Sequence, residues 1–172
     1  TMQVKESIGR QFKLSSSGLT RRETTERIKG ILRDVGLRTD DLHKYPHEFS
    51  GGQKQRISLA RALAPRPEFI IADEITSALD VSVQSQIISL LMKFKETTNL
   101  SFLYITHDLR VARLITDTIA VMYLGRIVEY GQTSQIFENP CHPYTIALLS
   151  AIPRNRYKKR IVLEGIVPSA VN

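Results

Sequence analysis

Three short stretches hold residue types whose spacing can act on a phosphate. Asp73 and Glu74 close the apolar run Phe69-Ile70-Ile71-Ala72, and two adjacent carboxylates at the end of a strand can divide a task. One can hold a Mg²⁺ ion, directly or through water, while its neighbour orients a water for attack on phosphorus. A strand followed by a solvated acidic turn has the same pattern. Ser50-Gly51-Gly52-Gln53 precedes a helical pattern. Its glycines let the backbone approach an anion, and the free N–H groups and dipole of the helix point the same way. A glycine-rich helix cap without a ligand reads identically. His107 follows a second apolar run, where an imidazole can donate to a phosphate, position a water, or serve only as a loop residue.

These residues need elements to position them. Thr20-Arg21-Arg22-Glu23 has the form of a capping box, and Ile28, Ile31, Leu32 and Val35 follow at helical spacing before Gly36 stops the helix. Residues 37–49 carry turn residues and a proline and read as a loop. A second helix starts near Gly52 and runs through Ile57, Leu59, Ala60 and Leu63 to Ala64, where Pro65 and Pro67 end it. The period then changes. Residues 69–72 form a short apolar run that suits a strand buried on both faces. Val83, Ile87, Leu90, Leu91 and Phe94 line a third helix closed by Asn99, and residues 101–106 read as a second buried strand. A helix over 108–115 and a hairpin over 118–130 around Gly125-Arg126 come next, then two short helical patterns near 134–137 and 144–151. Strand, helix, strand, helix is the alternation of an α/β layer with parallel strands.

Composition narrows the class. The chain has 172 residues, 42% hydrophobic and 24% charged, enough for one domain with a core. No run approaches the roughly 18 apolar residues of a membrane-spanning helix, and residues 1–6 lack the apolar core of a secretory signal. Membrane association is therefore expected to go through a partner. The single cysteine, Cys141, excludes an internal disulfide and a four-thiolate metal site, and suits a reducing compartment. Cys141-His142 offers two metal ligands but reads as a turn. The net charge of +7 includes a bunch of basic residues at Arg154, Arg156, Lys158, Lys159 and Arg160, which a solvated tail or linker explains at least as well as nucleic acid does. No aromatics interleave to stack bases, and charge alone does not decide, but no nucleic acid is expected among the partners.

The order of the motifs resembles that of the ABC ATPases across nearly the whole chain. Phe49-Ser50-Gly51-Gly52-Gln53-Lys54-Gln55-Arg56 is similar to the ABC signature, residues 69–74 to Walker B with its catalytic glutamate, Ser77-Ala78-Leu79-Asp80 to the D-loop, and Ile105-Thr106-His107-Asp108 to the switch-histidine segment. Phe49 stands where the family usually has leucine, and Ile75 where proline commonly stiffens the turn. Tyr45-Pro46-His47-Glu48, residues 77–84, residues 121–129, and Phe137-Glu138-Asn139-Pro140 followed by His142-Pro143-Tyr144-Thr145 and Ala147-Leu148-Leu149 resemble the dipeptide/oligopeptide and nickel importer ATPases.

The resemblance implies an α/β chain with a partial P-loop NTPase fold. A helical, signature-bearing region would span 1–65, the C-terminal half of the nucleotide-binding core 66–131, and a peptide-importer-type extension 132–172. It implies ATP and Mg²⁺ as cofactors, with Asp73 for the metal, Glu74 and His107 as catalytic residues, and Ser50, Gly51, Gly52, Gln53 and Asp80 at the nucleotide. The implied partners are a second ATPase subunit, identical or paralogous, transmembrane permease subunits and, indirectly, a peptide-binding protein. The implied location is the cytoplasmic face of the cell membrane, as a peripheral subunit. A soluble ABC-type ATPase acting on ribosomes or DNA, and a non-catalytic interaction module, are the rival readings. Against the first stand the missing heptads of a long coiled coil and the presence of the His142-Pro143-Tyr144 segment.

The pattern G-x-x-x-x-G-K-[ST] occurs nowhere in the 172 residues, because no two of the 9 glycines lie five apart. The Q-loop glutamine expected just upstream of the helical region is absent too. The chain is therefore expected to be a C-terminal part of a longer subunit, with an exposed sheet edge that favours self-association. Without P-loop amides and lysine to neutralise the β- and γ-phosphates, the 172-residue chain is predicted neither to bind ATP tightly nor to hydrolyse it. Isothermal calorimetry on the purified chain checks this, and a micromolar ATP affinity would refute it.

Overall fold

A computed structural model describes residues 2–15, 18–77, 79–98 and 100–152. Ala78 of the Ser77–Asp80 motif, Asn99, the basic run at 154–160 and residues 153–172 of the extension lie outside the described residues. The chain divides into two compact units, residues 1–105 and 106–172.

The first unit contains α1 (Val4–Ser15), α2 (Arg21–Asp34), two 3₁₀ turns (Thr39–His43 and Pro46–Glu48), α3 (Gly51–Leu63), β1 (Phe69–Asp73), α4 (Val81–Thr97) and β2 (Ser101–Ile105). Local chemistry sets the helix ends. Thr20 Oγ1 accepts the Glu23 N–H and the Glu23 carboxylate accepts the Thr20 N–H at 2.8 Å, which completes the expected capping box. Gly36 has φ +72°, the left-handed conformation that ends α2. The loop into α3 is pinned at both ends. The buried Asp41 carboxylate accepts the Arg38 N–H at 3.0 Å and the Lys44 ammonium at 2.6 Å, and the Lys44 carbonyl accepts the Val4 N–H.

Val4, Ile8 and Phe12 of α1 recur at helical spacing and meet Ile28 and Leu32 of α2, Ile57 and Ala60 of α3, and Ile87 and Leu91 of α4 in one continuous buried cluster. β1 and β2 pair in parallel, from Phe69 opposite Ser101 to Asp73 opposite Ile105, with α4 as the crossover. The expectation of strands buried on both faces is not met. Ile70 and Ala72 are buried, whereas Phe69, Ile71, Leu103 and Ile105 are 44–62% exposed. The run is apolar enough for two-sided cover, but within this unit only one face has helices against it.

The second unit contains α5 (Leu109–Ile115), the antiparallel hairpin of β3 (Thr118–Tyr123) and β4 (Arg126–Gln132), α6 (Thr133–Glu138) and α7 (Pro143–Ser150). The hairpin turns on Leu124 and Gly125, both with positive φ (48° and 75°), one residue earlier than the sequence pattern placed it. Ala112, Ile119, Val121, Ile136, Phe137 and Leu149 form its core.

One carboxylate ties the hairpin to the following segment. Glu129 accepts the Cys141 N–H at 2.7 Å and the His142 N–H at 3.0 Å, at the start of α7, and Tyr144 packs on Tyr123 with ring centroids 4.3 Å apart. Cys141 and His142 therefore sit in a backbone-anchored turn, and no group of three metal-ligating side chains occurs among the described residues. Burial works against the Glu129 charge. The Thr145 hydroxyl, the two N–H donors and the His142 ring outweigh it and hold the carboxyl below its ordinary range. Thr145 Oγ1 is buried without a hydrogen bond of good geometry, so its contribution is proximity rather than a formed bond. No helix among the described residues is long and apolar enough to cross a membrane.

Glu129→Ala is expected to lower stability by about 1–2 kcal/mol and to raise amide exchange across 143–150. Since its folded pKa is depressed, the stabilisation is present above the ordinary glutamate pKa and disappears as pH falls through the folded value. An NMR titration of the carboxyl that placed its midpoint at or above that of a free glutamate would contradict this reading.

Candidate functional site

α3 begins on Ser50, whose extended backbone (φ −65°, ψ 166°) makes it an N-cap. Ser50 Oγ accepts the Gln53 N–H at 3.3 Å, and Gln53 Oε1 accepts the Ser50 N–H at 3.0 Å. This reciprocal cap occupies the serine and glutamine side chains. The amides of Gly51 and Gly52, at the first two helical positions, have no acceptor within the helix. Phe49 is 5% exposed within the main cluster, so the apolar residue before the cap anchors the turn from inside.

β1 delivers Asp73 and Glu74 at its C-terminal end, where ligands bind in open parallel sheets. Both are exposed. Glu74 takes φ +44°, a left-handed conformation that costs a non-glycine residue about 1–2 kcal/mol. Hydrogen bonds on both sides hold it there. Its N–H donates to the Ile105 carbonyl at 3.0 Å, and its carbonyl accepts the Ser77 N–H at 3.1 Å and the Ser77 hydroxyl at 2.9 Å. Ile75 is partly buried against the main cluster, so packing stands where proline would have supplied stiffness.

Thr76 was not evident from the sequence as a site residue, yet it clamps this turn. It is 4% exposed, and its Oγ1 lies 2.9 Å from the Tyr104 hydroxyl on β2 and 3.3 Å from Gln84 Nε2 on α4. The signal available in the sequence was a threonine three residues beyond the first strand and a tyrosine near the end of the second, which becomes meaningful only once β1 and β2 are paired. Asp80 is the N-cap of α4, its Oδ1 accepting the Val83 N–H at 2.9 Å. Gly51 adjoins this loop: a Cβ there would lie 3.6 Å from Leu79 Cδ2. The first unit thus brings the glycine turn against the start of α4, and the acidic pair against the end of β2.

His107 belongs to the second unit and is exposed. Thr106 Oγ1 accepts the Asp108 N–H at 3.0 Å, which fixes the backbone on either side of it. The Arg110 guanidinium beside Asp108, at 2.8 Å, holds that carboxyl below its usual range against a smaller opposing effect of burial. A shallow concavity lined by Arg33, Arg56, Ser85, Gln86 and Lys93 contains none of the expected site residues.

A family model described as ABC transporter matches residues 1–77, and one described as oligopeptide/dipeptide transporter, C-terminal region, matches residues 128–172. The oligopeptide transport ATP-binding protein AmiF of Streptococcus pneumoniae is 56% identical over 131 residues, 76% of this chain and 42% of that protein. The corresponding figures for the oligopeptide transport ATP-binding protein AppF of Bacillus subtilis are 50% identity, 89% and 48%. For the dipeptide transport ATP-binding protein DppF of Haemophilus influenzae they are 49%, 90% and 48%. The chain spans about half the length of these curated relatives. Among solved structures, cbiO1 of Clostridium perfringens, part of the ABC transporter complex cbiONQ, aligns with TM-score 0.69 at 27% identity over 81% of this chain and 54% of that one. An ATP-binding cassette captured as a dimer in a post-hydrolysis state with ADP and Pi aligns with TM-score 0.68 at 28% identity, over 77% and 57%.

Tyr104→Phe leaves the buried Thr76 hydroxyl with Gln84 alone. It is expected to cost about 1–2 kcal/mol in urea unfolding and to speed amide exchange at residues 74–77 relative to the rest of β1. Unchanged protection there would remove Thr76 and Tyr104 from any role in holding Glu74.

Proposed function

The chain belongs to the ABC transporter ATP-binding proteins, of the oligopeptide/dipeptide kind, and on that premise we propose that it forms the signature-bearing part of an ATPase subunit that powers peptide import. The observation that carries the reading is the shared backbone chemistry of the first unit. A capped glycine turn offers two amides, and a strand end offers two adjacent carboxylates, with one backbone held in place by hydrogen bonds.

In this proposal residues 1–65 carry the signature and couple to permease subunits, 66–131 complete one half of the nucleotide-binding core, and 132–172 form the extension typical of peptide importers. A P-loop half completes the site, and two subunits face each other head to tail at the cytoplasmic side of the membrane. The amides of Gly51 and Gly52, with Ser50 and Gln53 around them, bind the γ-phosphate held by the opposite subunit. A carboxylate oxygen suits a hard cation, and Asp73, exposed at the strand end, would be this chain's one side-chain ligand to Mg²⁺, which when bound supplies charge neutralisation for the phosphates. Glu74 orients the attacking water and polarises its O–H bond. His107 donates to the γ-phosphate. Asp80, beyond capping α4, connects the two sites.

Glu74→Gln in the complete subunit is expected to slow hydrolysis by at least about a hundredfold, the scale of general-base loss, while ATP affinity stays within about twofold. Steady-state turnover and equilibrium ATP binding, measured side by side, check this. Undiminished turnover would remove Glu74 as the base.

A further inference from the structure

Gly51 and Gly52 look interchangeable in sequence, but the structure treats them differently. Gly52 is buried while Gly51 and Gln53 on either side are exposed. Its backbone is not in the positive-φ set, so conformation does not call for glycine. Space does. A Cβ on Gly52 would overlap Val83 Cγ1 and lie 3.5 Å from Val83 Cβ and 3.6 Å from Cγ2. Val83 cannot readily yield, because a β-branched side chain in a helix has one strongly preferred rotamer and its own N–H is held by Asp80 Oδ1 at 2.9 Å. At Gly51, by contrast, a Cβ would make an ordinary contact with Leu79.

One turn further along α3 there is a second tether. Arg56, four residues after Gly52, donates to Gln86, three residues after Val83, at 2.9 Å, and to the Val35 carbonyl at 2.6 Å. The two contacts lie on one face of each helix, so α3 and α4 meet along successive turns.

We propose that Val83 is a positioning residue: by filling the space that Gly52 leaves open, it sets the distance between the glycine turn and the Asp80 loop and makes the two a single rigid body. The nucleotide-facing amides of one subunit then cannot shift without moving Asp80. This rests on the ATPase reading for its functional consequence, but the helix contact stands without it.

The test is a double-mutant cycle of Gly52→Ala and Val83→Ala, read in two ways. In thermal unfolding of the 172-residue chain, Gly52→Ala is expected to lower the midpoint by about 4 °C or more, and Val83→Ala in that background to recover most of the loss. In the complete subunit with its partners, Gly52→Ala should lower kcat at least about tenfold at saturating ATP, beyond any loss of folded protein. The double variant should return to within about threefold of Val83→Ala alone. Additive midpoints, or a double variant as slow as Gly52→Ala, would overturn the proposal and assign Gly52 to the ligand instead. A complete wild-type subunit that does not hydrolyse ATP would sink the functional reading, and the unfolding cycle would then decide the helix contact by itself.

Discussion

The parallel ladder between β1 and β2 constrains the rest of the first unit. Parallel strands cannot be joined by a tight turn, so the chain must leave the end of β1, cross back along the sheet as α4 and re-enter as β2. That route forces a sharp change of direction immediately after Asp73. Glu74 absorbs it with a left-handed backbone, and the Ile105 carbonyl, the last rung of the partner strand, receives its N–H. The acidic pair is presented where it is because the ladder ends there.

The same route makes α4 the hub of the unit. Its N-cap is Asp80, its first turn carries Val83 against Gly52, its second carries Gln86 against Arg56, and Gln84 reaches Thr76 behind the acidic turn. The apolar side of the helix, Ile87 and Leu91, enters the cluster built by α1, α2 and α3. In the first unit, residues that would act on a nucleotide thus sit at the ends of α3 and β1 and in the turns before α4, while α4 itself carries none of the chemistry and packs against each of these places. The second unit uses a related device. The Glu129 carboxylate accepts two N–H groups at the start of α7, so a charge on a strand fixes the segment containing His142, Pro143 and Tyr144.

Much of this was legible in the sequence because the signals are local. Capping boxes are written in residues three apart, as in Thr20 with Glu23 and Ser50 with Gln53. Left-handed glycine stops, such as Gly36, and the helical period of Ile28 and Leu32 are equally short-range. The parallel order of β1 and β2 followed from strand–helix–strand alternation. Burial of the strands was not legible there, nor was the exact position of the hairpin turn. Phe69, Ile71, Leu103 and Ile105 have the composition of a two-sided core, but composition cannot say which elements of a given chain are there to cover a face.

The sequence by itself determined the residue types and their order along the chain: a serine–glycine turn, a carboxylate pair, an aspartate cap and a histidine after a second strand. Those are properties of neighbours in the chain, set by hydrogen-bonding capacity and backbone freedom. Only the tertiary structure decided why Gly52 differs from Gly51, why Thr76 matters, and what holds Glu74 in a left-handed conformation. Each of those depends on atoms from strands or helices distant in sequence, Val83, Tyr104 and Ile105, and close contact between remote residues follows from packing, which no local pattern encodes.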